Sequence, residues 1–164
     1  MSKLQVTTDV PEEITMVRTF DAPRRLVMRA MSEPALIKRW NGGKRAEVAA
    51  CEVDFRVGGG YKTVFRLPDG SEFFFSGTYQ EIADGRVVHT ELFNGEPPGS
   101  IVTITLVEHG GKTTVTMVVR FESQDVRDMV VATGMAEGAG ESYDVLDEVL
   151  ASMTDGKGAA SASA

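Results

Sequence analysis

The chain has 164 residues, of which 42% are hydrophobic and 25% charged; this is the size and composition of one globular domain, not of a disordered chain, a collagen or a disulfide scaffold. Seventeen Lys and Arg against twenty-four Asp and Glu leave a net charge of −7, which opposes binding to nucleic acid or to an anionic membrane surface. One cysteine, Cys51, cannot close an internal disulfide, and two histidines, His89 and His109, do not make a zinc site by themselves.

In chain order, residues 1–12 lack the basic start and apolar run of a secretory signal, and no segment is apolar for long enough to cross a bilayer. They are expected to be a flexible N-terminus on a cytoplasmic protein. Glu13 to Phe20 is rich in β-branched and aromatic residues and reads as a strand. Asp21-Ala-Pro23 and Ser32-Glu-Pro34 each place a capping residue before a proline, so two short helices follow, the first carrying Val27, Ala30 and Met31, the second Leu36, Ile37 and Trp40. Asn41-Gly-Gly43 ends the second helix.

From Ala46 to Phe121 the pattern is about six strands divided by turns at Gly58-Gly-Gly60, Pro68-Asp-Gly70, Asp84-Gly85, Asn94 to Gly99 and Gly110-Gly111. A two-residue loop at Gly110-Gly111 sets Leu106 opposite Val115 and Ile104 opposite Met117. A three-residue loop ending at Gly70 aligns Phe65 with Phe73, Thr63 with Phe75 and Tyr61 with Gly77. A two-residue loop at Asp84-Gly85, extended without interruption, sets Tyr79 opposite Thr90. One inward face then carries Tyr61, Thr63, Phe65, Phe73, Phe75, Gly77, Tyr79, Val88, Thr90 and Leu92, continuing through Val102, Ile104, Leu106, Val115, Met117 and Val119. His89 falls on the outer face in this register, and so does Phe74, which the register does not explain.

Asp125 to about Met153 reads as one long helix with an apolar stripe through Met129, Met135, Tyr143, Leu146 and Leu150 and an acidic outer side. Gly134, Gly138 and Gly140 interrupt it, at about 1 kcal/mol each relative to Ala in a helix interior. Either the helix kinks or breaks there, or the missing side chains leave room for a ligand or another backbone. Residues 154–164 are small, polar and low in complexity, and are expected to be a disordered tail. A single domain over residues 13–153 remains.

Strand, two short helices, a meander and a long C-terminal helix is the order of a helix-grip fold, of class α+β, with a curved antiparallel sheet of about seven strands wrapped around the last helix. The runs Val17-Arg-Thr-Phe-Asp-Ala-Pro23, Ser32-Glu-Pro34 to Lys38-Arg-Trp40, Cys51-Glu-Val-Asp-Phe-Arg-Val-Gly-Gly59, Gly77-Thr-Tyr-Gln-Glu-Ile82 and Gly134-Met-Ala-Glu-Gly138 to Leu146 resemble the SRPBCC (START-like) superfamily. Within it they look most like the branch of the activator of heat-shock protein 90 ATPase, which is similar to the enediyne self-resistance protein CalC. The resemblance implies a cavity between sheet and long helix of the kind used for apolar molecules. It also brings three alternatives: a polyketide cyclase or hydrolase, a module contacting a chaperone, and a resistance protein. The family often follows Arg-Trp with a second aromatic, whereas here Asn41 follows Trp40.

The residues support binding over catalysis. Cys51 in an apolar strand reads as a small hydrophobe, His109 belongs to a turn, and Gly58-Gly-Gly60 has no following helix and is no phosphate loop. Glu81, on the inward parity, is the one weak catalytic candidate, with pairing to Arg86 as its alternative. Four basic residues around Trp40 are too few to make a nucleic-acid site. The expectation is a small apolar or aromatic ligand held by Trp40, Tyr61, Thr63, Phe65, Phe73, Phe75, Tyr79, Thr90, Met117, Met135, Gly138 and Tyr143, with no cofactor and no metal, in a monomer or weak homodimer.

Overall fold

The structure is a computed structural model that describes residues 3–163, with side chains for 3–154. Eight antiparallel strands form one sheet: β1 (Gln5–Thr7), β2 (Glu13–Phe20), β3 (Glu47–Val53), β4 (Gly60–Arg66), β5 (Glu72–Ala83), β6 (Arg86–Phe93), β7 (Glu96–His109) and β8 (Lys112–Arg120). Their spatial order is β1-β2-β8-β7-β6-β5-β4-β3, so β3 to β8 are a pure meander and β2 closes onto the last strand. The helices are α1 (Arg24–Ser32), α2 (Pro34–Trp40), α3 (Gln124–Ala132) and α4 (Met135–Ser163). This is the α+β helix-grip arrangement expected, with one strand more: β1, inside the stretch assigned to a flexible N-terminus, pairs with β2.

Alternation in β2 buries Ile14, Met16, Arg18 and Phe20, as a strand with one solvated face requires. Leu26, Val27 and Ala30 of α1 and Leu146, Val149 and Leu150 of α4 join this face in the core. Pro34 occupies the first turn of α2, where its missing N–H costs nothing. The N-cap of α1 is Pro23, with no side-chain cap, so the capping role expected of Asp21 is not used.

The expected single C-terminal helix is two. Gly134 has φ +82°, and a residue in the left-handed region ends an α-helix. Ser123 caps α3 by accepting from the Val126 amide. α4 runs past Met153 into the segment expected as a disordered tail, whose side chains from 155 onward lie outside the described residues. Of the other two glycines, Gly140 faces open space and Gly138 has only the Arg45 guanidinium near it.

Two of the three hairpin registers hold as expected: Leu106 pairs with Val115 and Ile104 with Met117, and Tyr61, Thr63 and Phe65 pair with Gly77, Phe75 and Phe73. The third does not. Ala83 pairs with Arg86, Ile82 with Val87 and Glu81 with Val88, but Tyr79 then pairs with His89. Gln80 is an extra residue in β5, a β-bulge, and it turns every β6 side chain beyond it to the other face.

Phe74, outward as the register required, packs under Lys62, whose ammonium lies 4.3 Å from the ring centroid. Its amide donates to Asn94 Oδ1 in the Asn94-Gly95 turn. Among the described residues no helix is long and apolar enough to cross a membrane.

Candidate functional site

Between the concave face of the sheet and the helices lies a cavity of about 670 Å³, within the roughly 300–1,000 Å³ range of small-molecule sites. Trp40, Tyr61, Thr63, Phe65, Phe75, Tyr79, Met117, Met135 and Tyr143 line it, nine of the residues named from sequence. Three named residues do not. Phe73 sits one layer out, stacked on Phe65 with centroids 5.2 Å apart. Thr90 is turned away by the Gln80 bulge, and its hydroxyl accepts from the Thr78 amide. Gly138 faces Arg45, not the cavity.

Local structure positions the wall. Trp40, the last residue of α2, donates its indole N–H to the Ala30 carbonyl at 2.8 Å, which satisfies its polar edge and leaves the ring for the cavity side, 6.0 Å from Tyr143. The loop after α2 is held to α4 by an Arg45–Glu141 ion pair and by the close approach of Gly43 to the Ser142 amide. Met16, Met28, Met31, Met117 and Met135 all contribute to the lining, and unbranched, polarisable thioethers adapt to ligands of different shape.

The polar end of the cavity is built on β6. With the bulge in place, Val87, His89, Glu91 and Phe93 all reach the lining. Sequence reasoning put His89 on the outer face and named Glu91 nowhere. Tyr79 and Ile82, at odd separation in β5, can both face inward only if one extra residue lies between them, but β6 is apolar on both parities and does not select that register. Tyr61 crosses over Gly77, where any side chain would meet the Thr90 carbonyl and the Tyr61 ring. Its hydroxyl thereby reaches β6, donating to the Thr90 carbonyl at 3.1 Å and lying 3.5 Å from Glu91 Oε2. His89 is edge-on to Tyr61 and Tyr79, with centroids 4.9 and 5.9 Å away.

Burial governs the protonation of this end. Loss of hydration pushes the Glu91 carboxyl up to about 7 against the Tyr61 hydrogen bond that favours its charged form. The same loss lowers His89, keeping the imidazole neutral. Its Nδ1 lies 2.8 Å from the Thr90 carbonyl, which accepts the Nδ1 proton and leaves Nε2 as an acceptor. Burial also raises Tyr61 and Tyr143 and pushes Tyr79 up to about 12, so all three phenols are neutral donors at neutral pH. Glu81, the carboxylate singled out from sequence, lies outside, exposed and paired with Arg86 at 2.7 Å, because the bulge reverses its side of the sheet. Cys51 is half-buried beside Thr63, and burial raises its thiol, which disfavours the thiolate.

Residues 21–151 match the family model described as Activator of Hsp90 ATPase homolog 1-like protein. Among solved structures the chain is similar to a crystal structure of a protein from Rhodobacter sphaeroides, with 26% identity over 92% of this chain and 99% of that one, TM-score 0.85. A Nitrosomonas europaea protein gives 28% identity over 90% and 99%, TM-score 0.82. An AHSA1-like protein from Aeromonas hydrophila, at 21% identity over 84% and 94% with a TM-score of 0.68, shares the fold. No curated protein matches the chain.

Proposed function

The chain belongs to the family of Activator of Hsp90 ATPase homolog 1-like proteins, and from that premise we propose that it binds a small, largely apolar or aromatic molecule in the cavity between sheet and helices, without transforming it. The observation that carries this reading is the lining itself. Five methionines and a ring of aromatics line about 670 Å³, volume that a core with no ligand to hold would fill with side chains. Pockets that orient ligands combine such walls with a few polar groups, and Tyr61, Tyr79, His89 and Glu91 supply them. Native mass spectrometry of protein purified without denaturation tests the reading: an adduct that organic extraction removes supports it, and a bare chain that also takes up nothing from a panel of hydrophobic metabolites refutes it.

One observation favours a second reading, an enzyme of the cyclase or hydrolase kind. A carboxyl raised to about 7 beside a phenol is poised for proton transfer at neutral pH. The acid–base candidate is then Glu91, not Glu81. Turnover of a cavity-bound compound that vanishes in Glu91→Gln and survives in Glu81→Gln would establish it.

A further inference from the structure

The lining carries two carboxyls, Glu91 and Glu96, and among the described lining residues there is no lysine or arginine. The buried Arg18 is paired with Asp144 and Asp147 of α4 and is not among the lining residues. Glu91 meets the Tyr61 hydroxyl from β4 and shares the lining with Tyr79 of β5, neutral His89 of its own strand, Glu96 of β7 and Tyr143 of α4. A charged Glu91 therefore has one neutral hydroxyl, at 3.5 Å, and no cation. The Tyr61 ring is packed in turn against Tyr79 and edge-on to His89, with Phe55 against Tyr79 at 5.1 Å.

Resting on the binding reading above, we propose that the ligand is a hydrophobic amine, whose ammonium group seats between the Glu91 carboxylate and the Tyr61 and Tyr79 rings while its apolar body lies among the methionines. A cation is the complement the site lacks: electron-rich ring faces attract it, and a carboxylate partner offsets its lost hydration. A carboxylate ligand meets the opposite circumstance, two acidic groups and no basic one. An alcohol can use Tyr61, His89 or Glu91 for a hydrogen bond, but it cannot use the charge. Because burial holds part of Glu91 protonated near neutrality, an arriving ammonium displaces that proton to solvent. The bond broken is the carboxyl O–H, the proton goes to buffer, and the ligand keeps all of its own.

Phenylbutylamine, phenylbutanol and phenylbutyrate share one skeleton and differ in head group, so isothermal titration with the three separates head from body. At pH 7 the amine is expected to bind about tenfold tighter than the alcohol or more, with the acid weakest; each tenfold corresponds to a difference that one charge-assisted contact supplies. Glu91→Gln should remove the amine's advantage and leave the alcohol's affinity within about twofold. If that variant does not fold, the wild-type protein decides by the order of the three affinities, amine before alcohol before acid. Alcohol binding as tightly as amine, or preference for the acid, overturns the amine assignment while leaving the cavity reading standing. Absence of binding by all three overturns both.

Discussion

Tyr79 stands opposite His89 across the β5–β6 ladder, one residue out of the register that a plain two-residue turn at Asp84-Gly85 dictates. That displacement brings His89 and Glu91 into the cavity and sends Glu81 and Thr90 out of it. The chemistry of the site depends on Gln80 standing outside the ladder instead of taking a regular place in it.

Deleting Gln80 should remove the bulge and keep the pairs: with Glu81 directly after Tyr79, a plain two-residue turn at Asp84-Gly85 already sets Glu81 opposite Val88 and Tyr79 opposite His89, so His89 and Glu91 stay in the cavity. A residue that sits outside the ladder can be lost without a slip of the strands it interrupts. Amide exchange and a histidine titration by NMR check this: in the deletion variant His89 should still titrate below the ordinary histidine value, and a rise to about 6.5 would contradict it.

Glu91 sets a pH dependence of stability with a definite sign. Its folded value, about 7, lies above its ordinary 4.5, so the native state holds a proton that the unfolded state has lost between those values. The contribution is fully present below pH 4.5 and disappears as pH rises through 7. Glu91→Gln should therefore gain on the wild type between pH 5 and pH 8, by on the order of 1–3 kcal/mol in urea unfolding. His89 acts in the opposite sense, because its value is lowered: its contribution is present above 6.5 and falls as the solution is acidified. Comparison of Glu91→Gln with wild type cancels it.

Arg18 is 2% exposed, with its Nε atom unpartnered, and is held by two acids that differ in burial. The Asp144 side chain is 68% exposed and the Asp147 side chain 16%. Removing the buried partner strands the guanidinium, so Asp147→Ala should cost about 2–4 kcal/mol and Asp144→Ala less than about 1 kcal/mol in chemical denaturation. Equal effects would contradict this.

Two glycines should respond to the same substitution with opposite signs. A methyl group at Gly77 meets the Thr90 carbonyl and, at 2.8 Å, the Tyr61 ring, so Gly77→Ala should lose more than about 2 kcal/mol and displace Tyr61 from Glu91. Gly140 in α4 has nothing near its would-be side chain, and Gly140→Ala should gain roughly 0.5–1 kcal/mol from helix propensity alone. Thermal melts of the two variants decide.

Where a tight turn closes a hairpin and both strands are regular, sequence is enough: Gly110-Gly111 and the turn at Gly70 fix their partners by counting. The meander and the aromatic wall were readable for that reason. The bulge was not, because β6 has apolar residues on both parities, with Val87 and Val88 at one end and Leu92 and Phe93 at the other, so hydrophobic alternation does not choose between the registers. The helix break at Gly134 was one of two readings of the same glycine, and only its positive φ separates them. The strand β1 escaped notice because three residues with one apolar side chain, Val6, carry no periodicity.

The central claim is that the cavity, and not the surface, receives an apolar molecule. Eight methionines make a natural set of probes: five line the cavity, while Met129 on α3 is 69% exposed. Methyl NMR of protein labelled at the methionine carbons, titrated with phenylbutanol, should shift the resonances of Met16, Met28, Met31, Met117 and Met135 in a saturable way and leave Met129 unmoved. Shifts confined to Met129, or none at saturating ligand, would contradict the account.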